Sequence, residues 1–394
     1  MSSLRQIGAV TTLALETVPR RLGTSLVVVA GTATTVAVLF SALAVATGFT
    51  KAATKTGRPD RAIVVGGLSE ASSSISRENV ATIMDAPGVA HTATGQPIAS
   101  AETLESIPFT DSRTGLDAWA TVRGVGSEAL QLRREIQLVA GRLFVPGKRE
   151  LIVGRDVEER LGGLPLGSDV ALPDGTWRVV GIFSSGGGSR DSELLTDASS
   201  LLNFGHRKGF NSVSVRLVEP QAFARFSVTL ASNPTLSVNA QREDEYYKQM
   251  SRPISQLLEI TAYGIGGIMA FGAAFGAFNT MSSAVRARRI EIATLRAIGY
   301  GERSVFASVV IEALVLGLAG ALLGAFTAWL LLDGARISTV VATGTPLHIT
   351  FGLEVGPRTV LIGVLCALGI AASAGIFAAR QALQISIAAG MRKT

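Results

Sequence analysis

Five charged residues lie close together in one short segment of the chain: Arg286, Arg288, Arg289, Glu291 and Arg296. The segment has the pattern of a short amphipathic helix, because Ile290, Thr294 and Ala297 share one stripe with Ile298, and Gly299 then ends the helix. Ion pairs within an isolated helix contribute only about 0.2–0.5 kcal/mol each. The charges are therefore better suited to contacting another protein.

Glu312 is a second chemically notable residue, because it lies at the start of an apolar stretch. A carboxylate inside a membrane-spanning segment is costly and usually has a partner. One interpretation pairs Glu312 with an arginine of the basic segment. The other is that its carboxylate reaches water at the membrane surface, and the sequence leaves both open.

The sequence predicts no catalytic residue, no bound cofactor and no metal site. The nearest approach to a phosphate-binding loop, Gly141 to Lys148, has one residue too many between its glycines, and Arg149 follows where Ser or Thr is needed. The three histidines are isolated, without metal-ligand spacing. The net charge is +6, but the basic residues do not form one face with interleaved aromatics, so no nucleic-acid partner is predicted.

Four stretches of the chain contain no charged residue: 22–50, 260–285, 313–332 and 359–379. A helix rises about 1.5 Å per residue and needs about 20 apolar residues to cross a bilayer. Each stretch is long enough. The sequence therefore predicts four transmembrane helices in contact with membrane lipid.

The basic residues beside these stretches predict the orientation. Eleven Lys and Arg residues lie in the N-terminal segment, the segment between the second and third stretches and the C-terminal tail, whereas the loop between the third and fourth stretches has only Arg336 and Arg358. The positive-inside rule then places both termini in the cytoplasm. The first stretch is longer than the apolar part of a signal peptide, which favours an uncleaved anchor over cleavage near Ala46.

The long segment between the first two stretches has the pattern of a mixed α/β domain. Five strands are predicted at 62–65, 119–125, 150–153, 177–183 and 212–217, and two helices at 77–85 and 221–231. The predicted fold is a membrane protein with four transmembrane α-helices and a mixed α/β extracytoplasmic domain inserted between helices 1 and 2.

The predicted organisation divides the chain into nine consecutive segments. These are a cytoplasmic N-terminal amphipathic segment 1–21, helix 1 at 22–50, the extracytoplasmic domain 51–257, helix 2 at 258–285, a cytoplasmic loop 286–304, helix 3 at 305–332, a short outer loop 333–358, helix 4 at 359–379 and a cytoplasmic tail 380–394.

Pairs of glycines spaced four apart occur in two of the predicted membrane helices: Gly272 and Gly276, and Gly320 and Gly324. Small residues at this spacing allow two helix backbones to approach closely in lipid. A packing seam and the ordinary tolerance of glycine in membrane helices are equally compatible with the pattern.

The segment from Asn279 to Gly324 resembles the FtsX/MacB-type family of ABC-transporter permeases. In that family an Arg-rich run, a Glu-Ile pair and a Leu-Arg-Ala-Ile-Gly run precede the third span, and the matching positions here are Arg289, Glu291, Ile292, Leu295, Arg296, Ala297, Ile298, Gly299 and Glu312. The order of one span, a large outer domain and three further spans is also similar. This chain lacks the proline that the family often has after the fourth span.

The resemblance implies a permease subunit that hydrolyses no ATP itself. Its basic loop would be a coupling helix seated on a cytoplasmic ABC ATPase, which binds ATP and Mg²⁺, and a second permease copy would complete a homodimer in the cytoplasmic (inner) membrane. The residues expected to couple to the ATPase are Arg286, Arg288, Arg289, Glu291, Leu295, Arg296 and Gly299. Export or extraction of an envelope substrate is expected, with or without a periplasmic adaptor; regulation of a cell-wall enzyme is the alternative.

Overall fold

A computed structural model describes most of the chain. The described residues are 6–8, 10–12, 16, 22–110, 117–161, 164–172, 175–204, 209–342, 346–353 and 356–384. Most of the predicted N-terminal segment, and the tail beyond residue 384, lie outside them.

Ten α-helices are described between residues 22 and 384. They are α1 Leu22–Thr56, α2 Arg77–Met84, α3 Ala129–Leu132, α4 Arg155–Leu161, α5 Ala198–Phe204, α6 Ala222–Ala231, α7 Glu243–Ala287, α8 Arg289–Ala297, α9 Glu302–Leu332 and α10 Pro357–Leu383. A 3₁₀ turn covers Ser189–Ser192.

Twelve strands are described in the same part of the chain. They are β1 Arg61–Val65, β2 Ala99–Thr110, β3 Asp117–Val125, β4 Gln137–Gly141, β5 Glu150–Gly154, β6 Asp169–Leu172, β7 Gly175–Ser184, β8 Glu193–Asp197, β9 Ser212–Arg216, β10 Asn239–Arg242, β11 Arg336–Ala342 and β12 Pro346–Gly352.

The chain forms two compact units. We call the first the helical unit, which comprises Met1–Thr47, Gln256–Ala335 and Leu353–Thr394, and the second the α/β unit, which comprises Gly48–Ser255 and Arg336–Gly352. Helices α1 and α7 each contribute residues to both units.

The helical unit contains long apolar helix segments from α1, α7, α9 and α10, and each of these four helices is long and apolar enough to cross a membrane. Small residues bring three of them together. An added Cβ at Gly317 would clash with Ala371 of α10, and one at Gly324 would clash with Ala33 of α1. Close backbone approach of this kind stabilises helix pairs in lipid.

The α/β unit is organised around a ten-stranded mixed sheet. Nine strands follow the order β10-β1-β9-β2-β3-β8-β5-β7-β4, and β6 pairs with β7 beside β4. The long strand β2 joins the two halves, because Ala99 to Glu102 pair with β9 whereas Thr103 to Thr110 pair with β3. One apolar core packs around Val64, Val213 and Phe226, and another packs around Val122, Val153 and Trp177.

The hairpin formed by β11 and β12 belongs to the α/β unit, although its flanking helices α9 and α10 belong to the helical unit. The guanidinium Nη1 of Arg336 lies 2.8 Å from Oδ1 of Asp156 and also contacts Glu159, both in α4. Burial and the neighbouring Asp191 raise the pKa of Asp156 to about 6, and Arg336 opposes this shift.

The architecture predicted from sequence is confirmed, and so is each predicted strand and helix of the α/β domain. Strands β1, β3, β5, β7 and β9 and helices α2 and α6 lie where the sequence placed them, within two residues at each end. The N-cap of α2 is Ser76, whose side chain accepts a hydrogen bond from the backbone N–H of Asn79. The hairpin was not predicted; its residues were assigned to a loop.

A buried ionic cluster lies at the centre of the α/β unit. Each member is at most 5% exposed. Its members are four arginines and four glutamates, so their formal charges balance: Arg61, Arg123, Arg133, Arg190, Glu70, Glu102, Glu193 and Glu243. Buried charges require such pairing because their desolvation is costly.

Glu102 is the central acceptor of this cluster. Its carboxylate oxygens lie 3.0 Å from Nη1 of Arg123, 3.2 Å from Nη2 of Arg133 and 3.3 Å from Nη1 of Arg190. Burial alone would raise the pKa of Glu102, but the three guanidinium groups outweigh burial and hold the pKa well below its ordinary range. Glu102 therefore stays ionised at neutral pH, and its contribution to stability is lost only on strong acidification.

The same cluster holds the two long helices where they meet the sheet. Nε of Arg61 lies 2.6 Å from Oε2 of Glu243, the first residue of α7. Nη2 of Arg61 donates a hydrogen bond to the carbonyl oxygen of Thr56, the last residue of α1. Nη1 of Arg133 contacts the second oxygen of Glu243. The guanidinium group of Arg61 thus connects the ends of both helices.

We expect Glu102→Gln to destabilise the α/β unit by about 3–5 kcal/mol, because it removes one charge and leaves three buried guanidinium groups without their shared partner. Urea unfolding of the purified full chain, followed by tryptophan fluorescence, measures the change. Glu219→Gln is the matched control, because Glu219 is exposed. Equal unfolding midpoints for the two variants would show that the cluster does not stabilise the unit.

Candidate coupling site

The basic segment forms a separate short helix, as its sequence pattern predicted. Helix α8 begins at Arg289, directly after its N-cap residue Arg288, and ends at Ala297. Gly299 follows with a φ of +102°, a left-handed conformation that favours glycine. This glycine separates α8 from α9, which begins at Glu302.

The apolar stripe expected from the sequence lies on the exposed side of α8. The side chains of Ile290 and Ile298 are 52% and 72% exposed. The residues that face the helical unit are Ile292 and Ala293, which are 6% and 1% exposed. Large exposed apolar side chains grouped on one helix face are typical of a protein-binding surface.

Glu312 pairs with Arg288 inside the helical unit. Nη1 and Nη2 of Arg288 lie 3.0 Å and 2.8 Å from the two carboxylate oxygens of Glu312. This is the bidentate geometry that arginine and carboxylate groups prefer. Arg288 is 9% exposed and Glu312 is 6% exposed. The structure therefore supports the paired interpretation of Glu312 over a carboxylate that reaches water.

Arg296 makes a second connection between α8 and the rest of the helical unit. One guanidinium nitrogen donates to Glu302 at the start of α9, and the other donates to the carbonyl oxygen of Leu383 at the end of α10. Leu295, one residue earlier, is half-buried. Arg288 and Arg296 thus join α8 to both following helices.

The other members of the predicted coupling set lie on the surface. Arg286, Arg289, Glu291 and Gly299 are exposed. Nε of Arg286 donates to the carbonyl oxygen of Ser282 within α7. The predicted set therefore divides into Arg288 and Arg296, which hold α8 in place, and residues that are exposed on α8 or beside it.

A cavity of about 430 Å³ lies beside α8 and within the helical unit. Its walls come from α8, from the end of α7, from the start of α9 and from Val10 of the N-terminal segment; Glu291, Leu295 and Val305 are among them. The cavity lies next to the exposed stripe.

The two glycine pairs differ in their surroundings. An added Cβ at Gly320 would clash with Thr32, and one at Gly324 would clash with Ala33, so this pair packs on α1. No atom of the described residues lies within 4 Å of an added Cβ at Gly272 or at Gly276. The second pair faces open space, beside the exposed side chains of Phe271 and Phe275.

The ionic cluster of the α/β unit was not predicted from the sequence. Charged residues inside strands, such as Glu102 in β2 and Arg123 in β3, are the available signal. Such residues usually face solvent on a half-buried strand, so their type alone did not indicate a buried network.

The fold defines a class of protein: a membrane protein with four apolar helices long enough to span a bilayer and a mixed α/β domain inserted between the first and the second of them. Two family models match this chain. The MacB-like periplasmic core domain matches residues 25–232, and the FtsX-like permease C-terminal model matches residues 263–387. Because the first model alone covers more than half of the 394 residues, the chain belongs to the FtsX/MacB-type family of ABC-transporter permeases.

Other proteins are similar over parts of the chain. An uncharacterized ABC transporter permease of Methanocaldococcus jannaschii is 26% identical over 172 residues, which cover 41% of this chain and 42% of that relative. The chain thus matches less than half the length of this relative.

Two solved structures resemble part of the chain. The extracellular domain of the noncanonic ABC-type transporter YknZ from Gram-positive bacteria is 19% identical, with a TM-score of 0.34, and the match covers 43% of this chain and 89% of that one. The periplasmic region of MacB from Actinobacillus actinomycetemcomitans is 14% identical, with a TM-score of 0.38, covering 49% and 92%.

We expect Glu312→Gln to destabilise the helical unit by about 3–5 kcal/mol, because Arg288 would remain buried without its counter-ion. Thermal unfolding of the purified full chain measures the change. Glu302→Gln is the matched control: Glu302 also pairs with an arginine, but its side chain is 61% exposed, and such pairs contribute about 0–1 kcal/mol. A charge-swapped variant, Arg288→Glu with Glu312→Arg, should recover part of the loss. A Glu312→Gln loss no larger than that of the control would contradict the proposed structural importance of the pair.

Proposed function

We propose that this permease subunit converts ATP hydrolysis by a separate cytoplasmic ATPase into movement of its α/β unit, for export or extraction of an envelope substrate. The observation that carries the proposal is a short helix with an exposed apolar stripe, held to the next membrane helix by the buried pair of Arg288 and Glu312. ATP and Mg²⁺ belong to the partner in this proposal.

The surface of α8 supplies the contact with the ATPase. Ile290 and Ile298 offer apolar area, and Arg289 and Glu291 offer charges of both signs beside it. The adjoining cavity of about 430 Å³ accommodates one or two side chains of a partner. An apolar centre with a charged rim is the usual composition of a specific protein interface.

The connections of α8 define how a displacement would spread. The pair of Arg288 and Glu312 joins α8 to α9, and Arg296 joins it to the end of α10. A buried, bidentate ion pair resists separation more than an exposed pair does. Movement of α8 would therefore move α9 and α10 with it, and the chain continues from these helices into the β11–β12 hairpin.

Location and orientation follow from the same proposal. The ATPase is cytoplasmic, so α8 and both chain termini face the cytoplasm, as the distribution of basic residues predicts. The α/β unit then lies outside the cytoplasmic membrane. An adaptor protein on that side is compatible with this arrangement and is not required by it.

A second copy of the chain is the proposed partner in the membrane. A Cβ added at Gly272 or Gly276 of α7 would have no described atom within 4 Å. The neighbouring side chains of Phe271 and Phe275 are 78% and 65% exposed. Small residues spaced four apart with large neighbours form close helix–helix contacts in lipid. This face of α7 is thus the proposed homodimer contact.

The coupling proposal predicts that Arg289→Glu combined with Glu291→Lys weakens the complex with the ATPase by at least about tenfold, because it reverses both exposed charges without touching the buried pair. Co-purification with a candidate ABC ATPase subunit, and ATP turnover of the complex, measure the effect. Arg358→Glu is the control, because Arg358 is exposed at the opposite end of α10 from Leu383. Unchanged assembly and ATP turnover in the double variant would refute the assigned role of α8.

The dimer proposal predicts that Gly276→Leu raises the dimer dissociation constant in bilayers by at least about tenfold, because the new side chain separates the two backbones. Single-molecule photobleaching in liposomes counts the subunits. Gly267→Leu is the matched control: Gly267 is also free of neighbours within 4 Å, but it lies about two and a half turns away, on the opposite side of α7. A similar loss of dimer in both variants, or in neither, would argue against this contact.

A further inference from the structure

Strand β4 forms one edge of the large sheet in the α/β unit. It lies at the end of the strand order, and β7 is its pairing partner among the described strands. The register of this pairing shifts between Leu138 and Ala140, so Val139 has no partner in β7. The outer backbone N–H and C=O groups of an edge strand can pair with another extended chain.

The opposite edge of the sheet is protected, whereas β4 is not. Strand β10 ends in Arg242, whose guanidinium group lies 5.5 Å from the ring centroid of Phe223 in α6 and donates to the carbonyl oxygen of Pro220. Helix α6 also contacts β10. Charged residues and covering helices are common means of keeping an edge strand from pairing. Strand β4 contains no charged residue, and four of its five residues are exposed.

Four apolar side chains accompany the free edge, and we call them the edge patch. Each is 40–47% exposed. They are Leu138 and Val139 in β4 and Leu143 and Val145 in the segment that follows it. In strand addition, backbone hydrogen bonds give affinity and contacts with alternate side chains give specificity. A free edge beside exposed apolar side chains therefore has both parts of such a site.

The charges around β4 indicate the chemistry of the partner. Residues 134–150 include four basic residues and only two acidic ones. The two acids, Glu135 and Glu150, already pair with arginines. Arg134 and Lys148 are exposed, and neither forms an ion pair with another described residue. Charge complementarity therefore favours a bound segment with acidic residues at its ends.

The same charges disfavour a second copy of this chain as the occupant. Two β4 strands paired about a twofold axis would run antiparallel, so the beginning of each strand would meet the end of the other. The basic residues on either side of β4, Arg134 and Arg142, would then approach each other between the copies. Like charges opposed across a strand pair are destabilising.

We propose that the outer edge of β4 binds an extended, acidic segment of another protein as an added strand, with the apolar side chains of that segment on the edge patch. This interaction surface goes beyond the coupling function proposed above and does not rest on it. Binding requires neither ATP nor the ATPase, so the two proposals fail independently.

The first test measures binding of three heptapeptides with blocked ends to the full chain in phosphatidylcholine nanodiscs, by fluorescence anisotropy of the same neutral dye on each. The peptides are ETVTVTE, its basic counterpart KTVTVTK and the broken strand ETVPVTE, in which proline removes a backbone donor. We expect saturable binding of ETVTVTE below about 1 mM and binding of the other two at least about tenfold weaker. No saturable binding, or equal binding of ETVPVTE, would overturn strand addition. Equal binding of KTVTVTK would overturn the acidic assignment.

A substitution on the edge tests the location. Val139→Glu should weaken binding of ETVTVTE by at least about tenfold, because it replaces an apolar contact by a charge of the same sign as the peptide. Val228→Glu is the matched control: Val228 is also exposed in the α/β unit, but it lies in α6, beside the opposite edge. Equal affinities of the two variants would show that the peptide binds elsewhere.

A charge variant tests the same surface without altering the strand. Arg134→Gln with Lys148→Gln should weaken binding of ETVTVTE by at least about fivefold and reduce its preference over KTVTVTK. Arg77→Gln with Arg225→Gln is the control, because it removes the same charge from two exposed arginines of α2 and α6. An unchanged preference in the first variant would contradict the role of the basic residues.

Hydrogen exchange tests the mode of binding. The amides of residues 137–141 should exchange more slowly when ETVTVTE is bound, whereas those of β10 should not change. Protection that leaves β4 unaffected would overturn the proposal. Equal protection of β4 by phosphatidylglycerol vesicles without peptide would identify the edge patch as a lipid-binding surface and would also overturn it.

Discussion

The α/β unit depends on the balance of eight buried charges around Glu102. Three arginines share this carboxylate, and the cluster reaches from the first residue of α7 to the last residue of α1. A buried network of this kind is stable only when every member has its partners, so it tolerates little relative movement of the elements that supply them. Strands β1, β2, β3 and β8 and the two helix ends are thereby held in one arrangement, and the apolar cores on either side pack against a fixed centre.

The helical unit uses the same chemistry at its own critical junction. Arg288 stands at the N-cap of α8, and the carboxylate of Glu312 lies in α9, so one ion pair ties a short surface helix to a long membrane helix. The neighbouring Arg289 points to the surface instead. Adjacent residues on a helix point in directions about 100° apart, so Arg288 is buried whereas Arg289 is exposed.

Much of this architecture could be predicted from the sequence, because its strongest signals are local. Charge-free stretches longer than 20 residues indicate membrane helices, and β-branched runs such as that of β1 indicate strands. Strand β2 was missed because its residues, ASAETLESIPFT, include few β-branched side chains and a proline. Glu102 in this strand pairs with arginines that are distant in sequence. The pairing of Arg288 with Glu312 likewise joins residues that belong to separate helices. Pairings of this kind depend on tertiary structure, so the sequence could name candidates for Glu312 without choosing Arg288.

The hairpin between α9 and α10 makes the α/β unit discontinuous in the chain. A secreted fragment that ends before α9 would contain Asp156 and Glu159 but not Arg336, which contacts both carboxylates. Phe49 would also lose its edge-to-face neighbour Phe351, whose ring centroid lies 5.8 Å away. Such a fragment would expose an acidic and apolar patch that the intact protein covers. Binding studies of this isolated α/β fragment would then report surface properties that the truncation created.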